Sequence, residues 1–288
     1  IPLVFLVFSA VLNVILDLVF IATFHMGVSG AGYATILSQG ISAVLCLIYI
    51  YLRMPALRPE KSHWKLRAKE SRQQMTMGIP MALQFAITAS GTMIMQAAIN
   101  IFGSDAVAAF TAASKLQNLV MQGMIAMGQT MATYSGQNFG KGDLARIRKG
   151  VRASLSASAV YAVAVALLVW ILLKPCLGLF FTADVNMSVM MPWAETYIHI
   201  CAIFYIPLST IFVFRNTMQG CGYGFLPMMG GVSELAARMI VAFIAMSTVS
   251  YPLACFCDPA AWIAAGLFTG ISYIFVSKDI AKKLAPAS

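Results

Sequence analysis

Residues 10–39, AVLNVILDLVFIATFHMGVSGAGYATILSQ, decide how this chain is read. Asp17 stands in a run of Leu, Val, Ile, Phe and Ala, with Asn13 for polar company. A carboxylate part-way along a lipid-length apolar helix costs about 2.5–3.5 kcal/mol on insertion scales, so a functional role is the default expectation. In a helix, Asn13 and Asp17 are i and i+4, stacked on one face about 6 Å apart. A short turn containing Gly27, Gly30 and Gly32 is expected to reverse the chain, and the next helix returns Thr35 to the depth of Asp17. Carboxylate, amide and hydroxyl together offer oxygen ligands suited to Na⁺, and a shielded carboxylate suits a proton. The bland alternative for Asp17 is a packing role, hydrogen-bonded to Asn13 or to a neighbouring helix.

The rest of the chain matches this membrane reading. Hydrophobic residues make up 60% of its 288 positions and charged ones 10%, with a mean hydropathy of +0.82, which excludes an ordinary soluble domain. Apolar spans of lipid length fall at 2–23, 31–53, 77–101, 107–135, 154–173, 193–218, 228–249 and 260–276. The net charge of +9 would suit nucleic acid if it were spread over a face, but it is confined to the gaps between spans. Arg53, Arg58, Lys61, Lys65, Arg67, Lys69 and Arg72 form one cluster, Lys141, Arg146, Arg148, Lys149 and Arg152 a second, and Lys278, Lys282 and Lys283 a third. That distribution predicts a cytoplasmic linker, a cytoplasmic turn at 137–150, another at 215–227 and a cytoplasmic C-terminus. The turns near His25, Asp105, Asp184 and Asp258 then lie outside, where Lys174 is the lone Lys.

Pro55 and Pro59 break the second span, and the basic stretch around Trp64 suits a membrane surface. The expected division is 1–54 as the last two helices of an N-terminal lobe, 55–76 as a basic inter-lobe linker, and 77–288 as a six-helix C-terminal lobe with a cytoplasmic tail. Two spans before the linker and six after it suggest a longer protein whose opening helices precede this sequence. GYATILSQGIS at 32–42 echoes WIAAGLFTGIS at 262–272, as internal repeats of a transporter would.

Other polar residues leave alternatives open. Gln84, Thr88, Gln96 and Asn100 share one face of the third span, either lining a cavity or joining helices. Lys115, Gln117 and Asn118 open the following span, with Lys115 either snorkelling to the surface or entering a cavity. Met93, Met95, Met121, Met124 and Met127 either line an adaptable cavity or pack as core and lipid-facing residues. Glu234 and Arg238, i and i+4 near the inner end of their span, read as a structural ion pair. Arg215 is expected to meet a carbonyl or a lipid phosphate, and His199 to be a packing residue. The six cysteines have no zinc-site spacing and read as buried free thiols.

Four stretches resemble the multidrug and toxic compound extrusion (MATE) family. LNVILD with GVSGAGYATILSQ is similar to its fifth and sixth helices. GIPMALQFAITASGTMIMQAAIN with DAVAAFTAASKLQNL resembles the start of the second six-helix lobe. ATYSGQNFGKGDLARIRKGVR is similar to the cytoplasmic end of the eighth helix, and FRNTMQGCGYGFLPMMGGVSELAAR to the tenth-to-eleventh connection. The resemblance implies an all-α membrane protein, eight helices of a two-lobed, pseudo-symmetric twelve-helix transporter that lacks its first four. It also implies a cation-coupled antiporter, H⁺ or Na⁺, exporting organic and often cationic compounds by alternating access. In the DinF-like branch, Asn13, Asp17 and Thr35 fall at the cation site, which also uses an acid on the first helix. The NorM-like branch uses acids on the seventh and tenth helices, at positions near Thr88 and Leu208 here, neither of which ionises.

The chain is thus expected to be a multi-pass protein of the inner or plasma membrane, monomeric, with a small organic substrate and the bilayer as partners. No cofactor beyond the coupling ion and no nucleic acid is expected. Gln84, Thr88, Gln96, Lys115 and Asn118 are candidates for the substrate cavity. A lipid-linked oligosaccharide flippase is the alternative within the superfamily, and would call for a strongly cationic cavity. An integral-membrane enzyme is the alternative from another class, and neither H-E-x-x-H nor G-x-S-x-G is present to support it.

Overall fold

Apolar helices of this kind run until proline withdraws a backbone donor at a vulnerable place. The computed structural model, which describes residues 2–58, 65, 67–178 and 187–284, shows both outcomes. Helix α6 (Met187–Ile203) ends one residue before α7 (Tyr205–Gly220), and the two are bent by 54°. Pro207 has no N–H for the carbonyl of Ile203, four residues back, and its ring crowds that carbonyl. The same relation, Pro259 to Cys255, separates α9 (Tyr251–Cys255) from α10 (Cys257–Leu284) at Phe256. Pro80, Pro175 and Pro192 lie inside α3 (Ala68–Asn100), α5 (Leu144–Gly178) and α6 without ending them.

The other elements are α1 (Pro2–Asp17), which continues as a π-helical segment Leu18–Thr23, α2 (Gly27–Arg53), α4 (Ser104–Gly140) and α8 (Phe225–Thr248). The described residues are all-α apart from turns, as the hydropathy pattern requires. Among the described residues six helical spans are long and apolar enough to cross a membrane, and the bent α6–α7 pair makes a seventh. The eighth rod, α4, is 37 residues long but carries Gln117, Asn118, Gln122, Gln129 and Gln137, which dilute its apolar signal.

Several boundaries differ from the sequence expectation. The turn after the first span is at Phe24–Met26, where His25 takes φ 51°, while Gly30 and Gly32 lie inside α2. The end of the expected linker, from Ala68, is helical and belongs to α3. Asp258 is not in an outer turn but in the first turn of α10, and Lys174 is inside α5. Lys61, Trp64 and Asp184 lie outside the described residues.

The chain divides into two units, Ile1–Ala68 and Lys69–Ser288, a boundary inside the expected linker. In the first, α1 and α2 pack as an antiparallel pair. The buried face of α2 is Gly30, Ala34, Ser38 and Ser42, small residues at every fourth position. Without a hydrophobic drive between helices in lipid, close approach through small residues is what holds such a pair. Ser42 Oγ donates to the carbonyl of Phe5 at 3.1 Å, and the Phe5 and Tyr49 rings meet at 5.9 Å. At the other end a Cβ on Gly30 would come within 3.0 Å of the Phe20 Cβ.

In the second unit α3, α4, α5, α6–α7, α8 and α9–α10 form six rods. Ile147, Met218, Cys221, Val276 and Ile280 make a small core that joins the start of α5 to the ends of α7 and α10. The basic clusters at 141–152 and 278–283 are therefore at one end of this unit. Phe102, Trp193 and Tyr251 stack at the opposite end, with centroids 4.6 to 6.3 Å apart. Aromatic rings suit a membrane interface, so both ends carry the markers expected of a spanning bundle. A close crossing of α4 and α7 depends on Gly220, where a Cβ would strike the backbone of Ala132. All six cysteines are free, as expected, and burial pushes the Cys221 thiol, in the turn after α7, up to about 11.

Candidate functional site: a polar cavity and a lone carboxylate

Charged residues inside an apolar bundle need partners, and four in the second unit find them across helices. Arg215 on α7 donates to Glu234 Oε2 on α8 at 3.2 Å. Arg238, one turn beyond, donates to Glu234 Oε1 at 3.3 Å and to Asp258 Oδ1 on α10 at 2.9 Å. Tyr197 on α6 donates to Asp258 Oδ2 at 3.0 Å. Two guanidinium and two carboxylate groups thus balance inside one bundle. Gly91 on α3 makes room for this, since a Cβ there would collide with the Arg238 guanidinium. Such a network is not cheap in itself, because desolvating each ion costs several kcal/mol, but it makes the loss of any one member severe.

The network forms one wall of a cavity of about 480 Å³. Thr88, Thr92 and Gln96 of α3 line it, with Phe110, Gln117, Asn118 and Met121 of α4, Tyr197 of α6, and Trp262 of α10. Glu234, Arg238 and Asp258 are its charged lining residues, two acids against one base. Gln117 Oε1 accepts from Tyr205 OH at 2.7 Å, which fixes the amide in the wall.

Of the residues expected in a cavity, Thr88, Gln96 and Asn118 line this one. Gln84 is buried elsewhere, its Oε1 accepting from Gln219 Nε2 at 2.9 Å, so it joins α3 to α7. Lys115 is exposed and is not in the lining. Met93, Met95 and Met121 line the cavity, while Met124 and Met127 pack in the core. His199 stacks on Trp170 with centroids 4.5 Å apart, a packing role. Arg215 meets Glu234, not a carbonyl or lipid. The Glu234–Arg238 pair lies mid-helix in α8, not near its inner end, and is half of a larger network. Arg215, Tyr197 and Asp258 were missed as its members, although an acid and a base in separate apolar spans were a signal for one.

The first unit holds the other candidate. Asn13 Nδ2 and Asp17 Oδ1 are buried atoms without a hydrogen-bond partner among the described residues. They sit on one face of α1, and directly after Asp17 the helix widens into its π segment. Local π geometry is frequent at functional sites. Ser42 meets Phe5 and Gly30 meets Phe20, so Asn13 and Asp17 on α1 and Thr35 on α2 all lie in the stretch between these two contacts. Thr35 is exposed, with its hydroxyl donating to the carbonyl of Ala31 at 2.9 Å. Asn13 and Asp17 are thus brought together, while Thr35 reaches neither by a hydrogen bond. Among the described residues no three His, Cys, Asp or Glu side chains gather as a metal site.

A family signature described as MatE spans residues 80–244. The chain is 27% identical over 281 residues to "Probable multidrug resistance protein YpnP" of Bacillus subtilis (strain 168), covering 96% of this chain and 58% of that protein. It is 22% identical to "Probable multidrug resistance protein NorM" of Thermotoga maritima, covering 76% and 47%. The chain therefore spans about half the length of the curated relatives it matches. Its fold is similar to that of a MOP superfamily transporter from Pyrococcus furiosus, with a TM-score of 0.88, 17% identity, and coverage of 96% and 62%. A multidrug resistance MATE family transporter solved in an outward-facing conformation gives 0.85 at 16% identity, with coverage of 97% and 62%.

Proposed function

The chain belongs to the MatE family, and from that premise we propose that it forms most of an antiporter that exports organic compounds in exchange for H⁺ or Na⁺. Family membership makes it a multi-pass membrane transporter and not an enzyme. The exchange rests on one observation, the buried and unpartnered Oδ1 of Asp17, one helical turn after Asn13, whose Nδ2 is also unpartnered. A desolvated carboxylate oxygen is unfavourable until a proton or cation meets it. Occupancy of that position changes the local charge by one, and a charge moved through 100 mV is worth about 2.3 kcal/mol. Shifting a two-state equilibrium from 1:99 to 99:1 takes about 5.5 kcal/mol, so one such charge supplies under half of it and the ion's concentration gradient and differential affinity for the two states supply the rest. Thr35 would join the site by turning its hydroxyl from the Ala31 carbonyl.

The cavity of the second unit is the substrate site in this reading. Its lining carries two carboxylates and one guanidinium among methionine and aromatic side chains. The aromatic and methionine faces suit planar organic cations, and the charge-balanced network offers no cationic wall for a pyrophosphate-linked sugar. The basic end, with the C-terminus, is cytoplasmic in this reading. The transporter acts as a monomer.

The test is accumulation of ethidium and a panel of cationic dyes by an efflux-deficient bacterium expressing the full-length natural protein. We expect accumulation several-fold below that of cells carrying an empty vector. Equal accumulation of every dye, with the protein present in the membrane, would contradict the efflux reading.

A further inference from the structure

A second concavity of about 630 Å³ lies on the flank of the Lys69–Ser288 unit, between α5 and α10, with Phe214 of α7 in its wall. Its two ends differ in character. At the basic end stand Arg148 and Arg152, i and i+4 on α5, and Lys278 on α10. Arg148 is held there by its Nε, which donates to Ser277 Oγ at 3.1 Å. None of the three has a carboxylate partner among the described residues. Away from them the groove is apolar, walled by Leu155, Leu267, Ile271 and Ile274, of which the last three are 64%, 55% and 54% exposed.

The groove is open because α10 presents Gly266 and Gly270, one turn apart, on this side. At Gly270 a Cβ would touch only the Phe214 ring, at 3.7 Å, so the space is unfilled. From Lys278 to Gly266 is twelve residues of helix, about 18 Å. That compares with one leaflet, half of a hydrocarbon core about 30 Å thick. We propose that this groove binds one anionic phospholipid, its phosphate on Arg148, Arg152 and Lys278 and an acyl chain along Gly266 and Gly270. A free phosphate would leave the apolar length empty, and a zwitterionic lipid would bring its own ammonium beside three cations at the headgroup level. Basic pockets between transmembrane helices are the usual place for such lipids.

Native mass spectrometry of the full-length protein, titrated with phosphatidylglycerol and with phosphatidylcholine of the same acyl chains, tests this. Retention of phosphatidylglycerol in preference to phosphatidylcholine is expected. Arg148→Gln/Arg152→Gln/Lys278→Gln should weaken phosphatidylglycerol by roughly a hundredfold, from about a factor of five per basic residue. Gly270→Leu keeps all three cations and fills the groove, and should weaken it as well. Thermal unfolding in detergent without added lipid should be the same for all three proteins, which separates lost binding from lost folding. Equal binding of both lipids, binding of glycerol phosphate as tight as that of the lipid, or unaltered binding in either variant would overturn the proposal. So would a second copy of the chain, not lipid, lost on substitution.

Discussion

Asp17→Asn in the full-length protein is expected to return dye accumulation to the level of cells without the transporter, while leaving the protein in the membrane in normal amount. The substitution keeps the size and shape of the side chain and removes the one group that can be titrated or metallated at this place on α1. Insertion gains from the change, since a mid-helix acid costs about 2.5–3.5 kcal/mol and an amide costs less. The packing of α1 on α2 runs through Gly30, Ala34, Ser38 and Ser42 and does not require the charge. A purely structural Asp17, bonded as a helix-to-helix hydrogen-bonding residue, predicts the opposite result. Asparagine would then serve nearly as well, and export would persist.

Arg238→Met is expected to produce the largest loss of stability of any single change in the second unit. Its side chain is 3% exposed and bridges Glu234 and Asp258, themselves 8% and 14% exposed. Removing one partner of a buried ion pair typically costs about 3–5 kcal/mol, which for a unit of this size lowers the melting temperature on the order of 10 °C. Glu234 would keep Arg215, but Asp258 would keep only the Tyr197 hydroxyl. Adding Asp258→Asn restores the balance of one acid to one base, so the double variant should recover part of the loss. Thermal unfolding in detergent of the parent and both variants reads this directly. Equal melting temperatures for all three would mean that the network does not hold α8 to α10.

Much of this arrangement was readable in the residues, and what escaped has physical reasons. The all-α membrane fold and the family followed from hydropathy and motif spacing. Gly30, on the buried face of α2, reads in the sequence as a turn residue beside Gly27 and Gly32. Only the neighbouring helix shows that Gly30 is small in order to be packed upon. The helix breaks at Phe204 and Phe256 each fall three residues before a proline, Pro207 and Pro259. Yet Pro80 and Pro175 sit in unbroken helices, so proline alone does not locate a bend. In the charged network the i, i+4 pair was visible, but its links to Arg215, Tyr197 and Asp258 join different helices and have no local signature. The proposed cation site is the reverse case. Asn13 and Asp17 stood out because the sequence around them is so apolar, whereas the exposed position of Thr35 depends on helix rotation, which spacing does not give.

The most direct test of the account is ethidium efflux from vesicles of full-length protein under an imposed H⁺ or Na⁺ gradient. The account predicts that one of the two gradients drives efflux in the parent, that collapsing it stops efflux, and that Asp17→Asn does not respond to either. Gradient-driven efflux at parental rate in Asp17→Asn would contradict it.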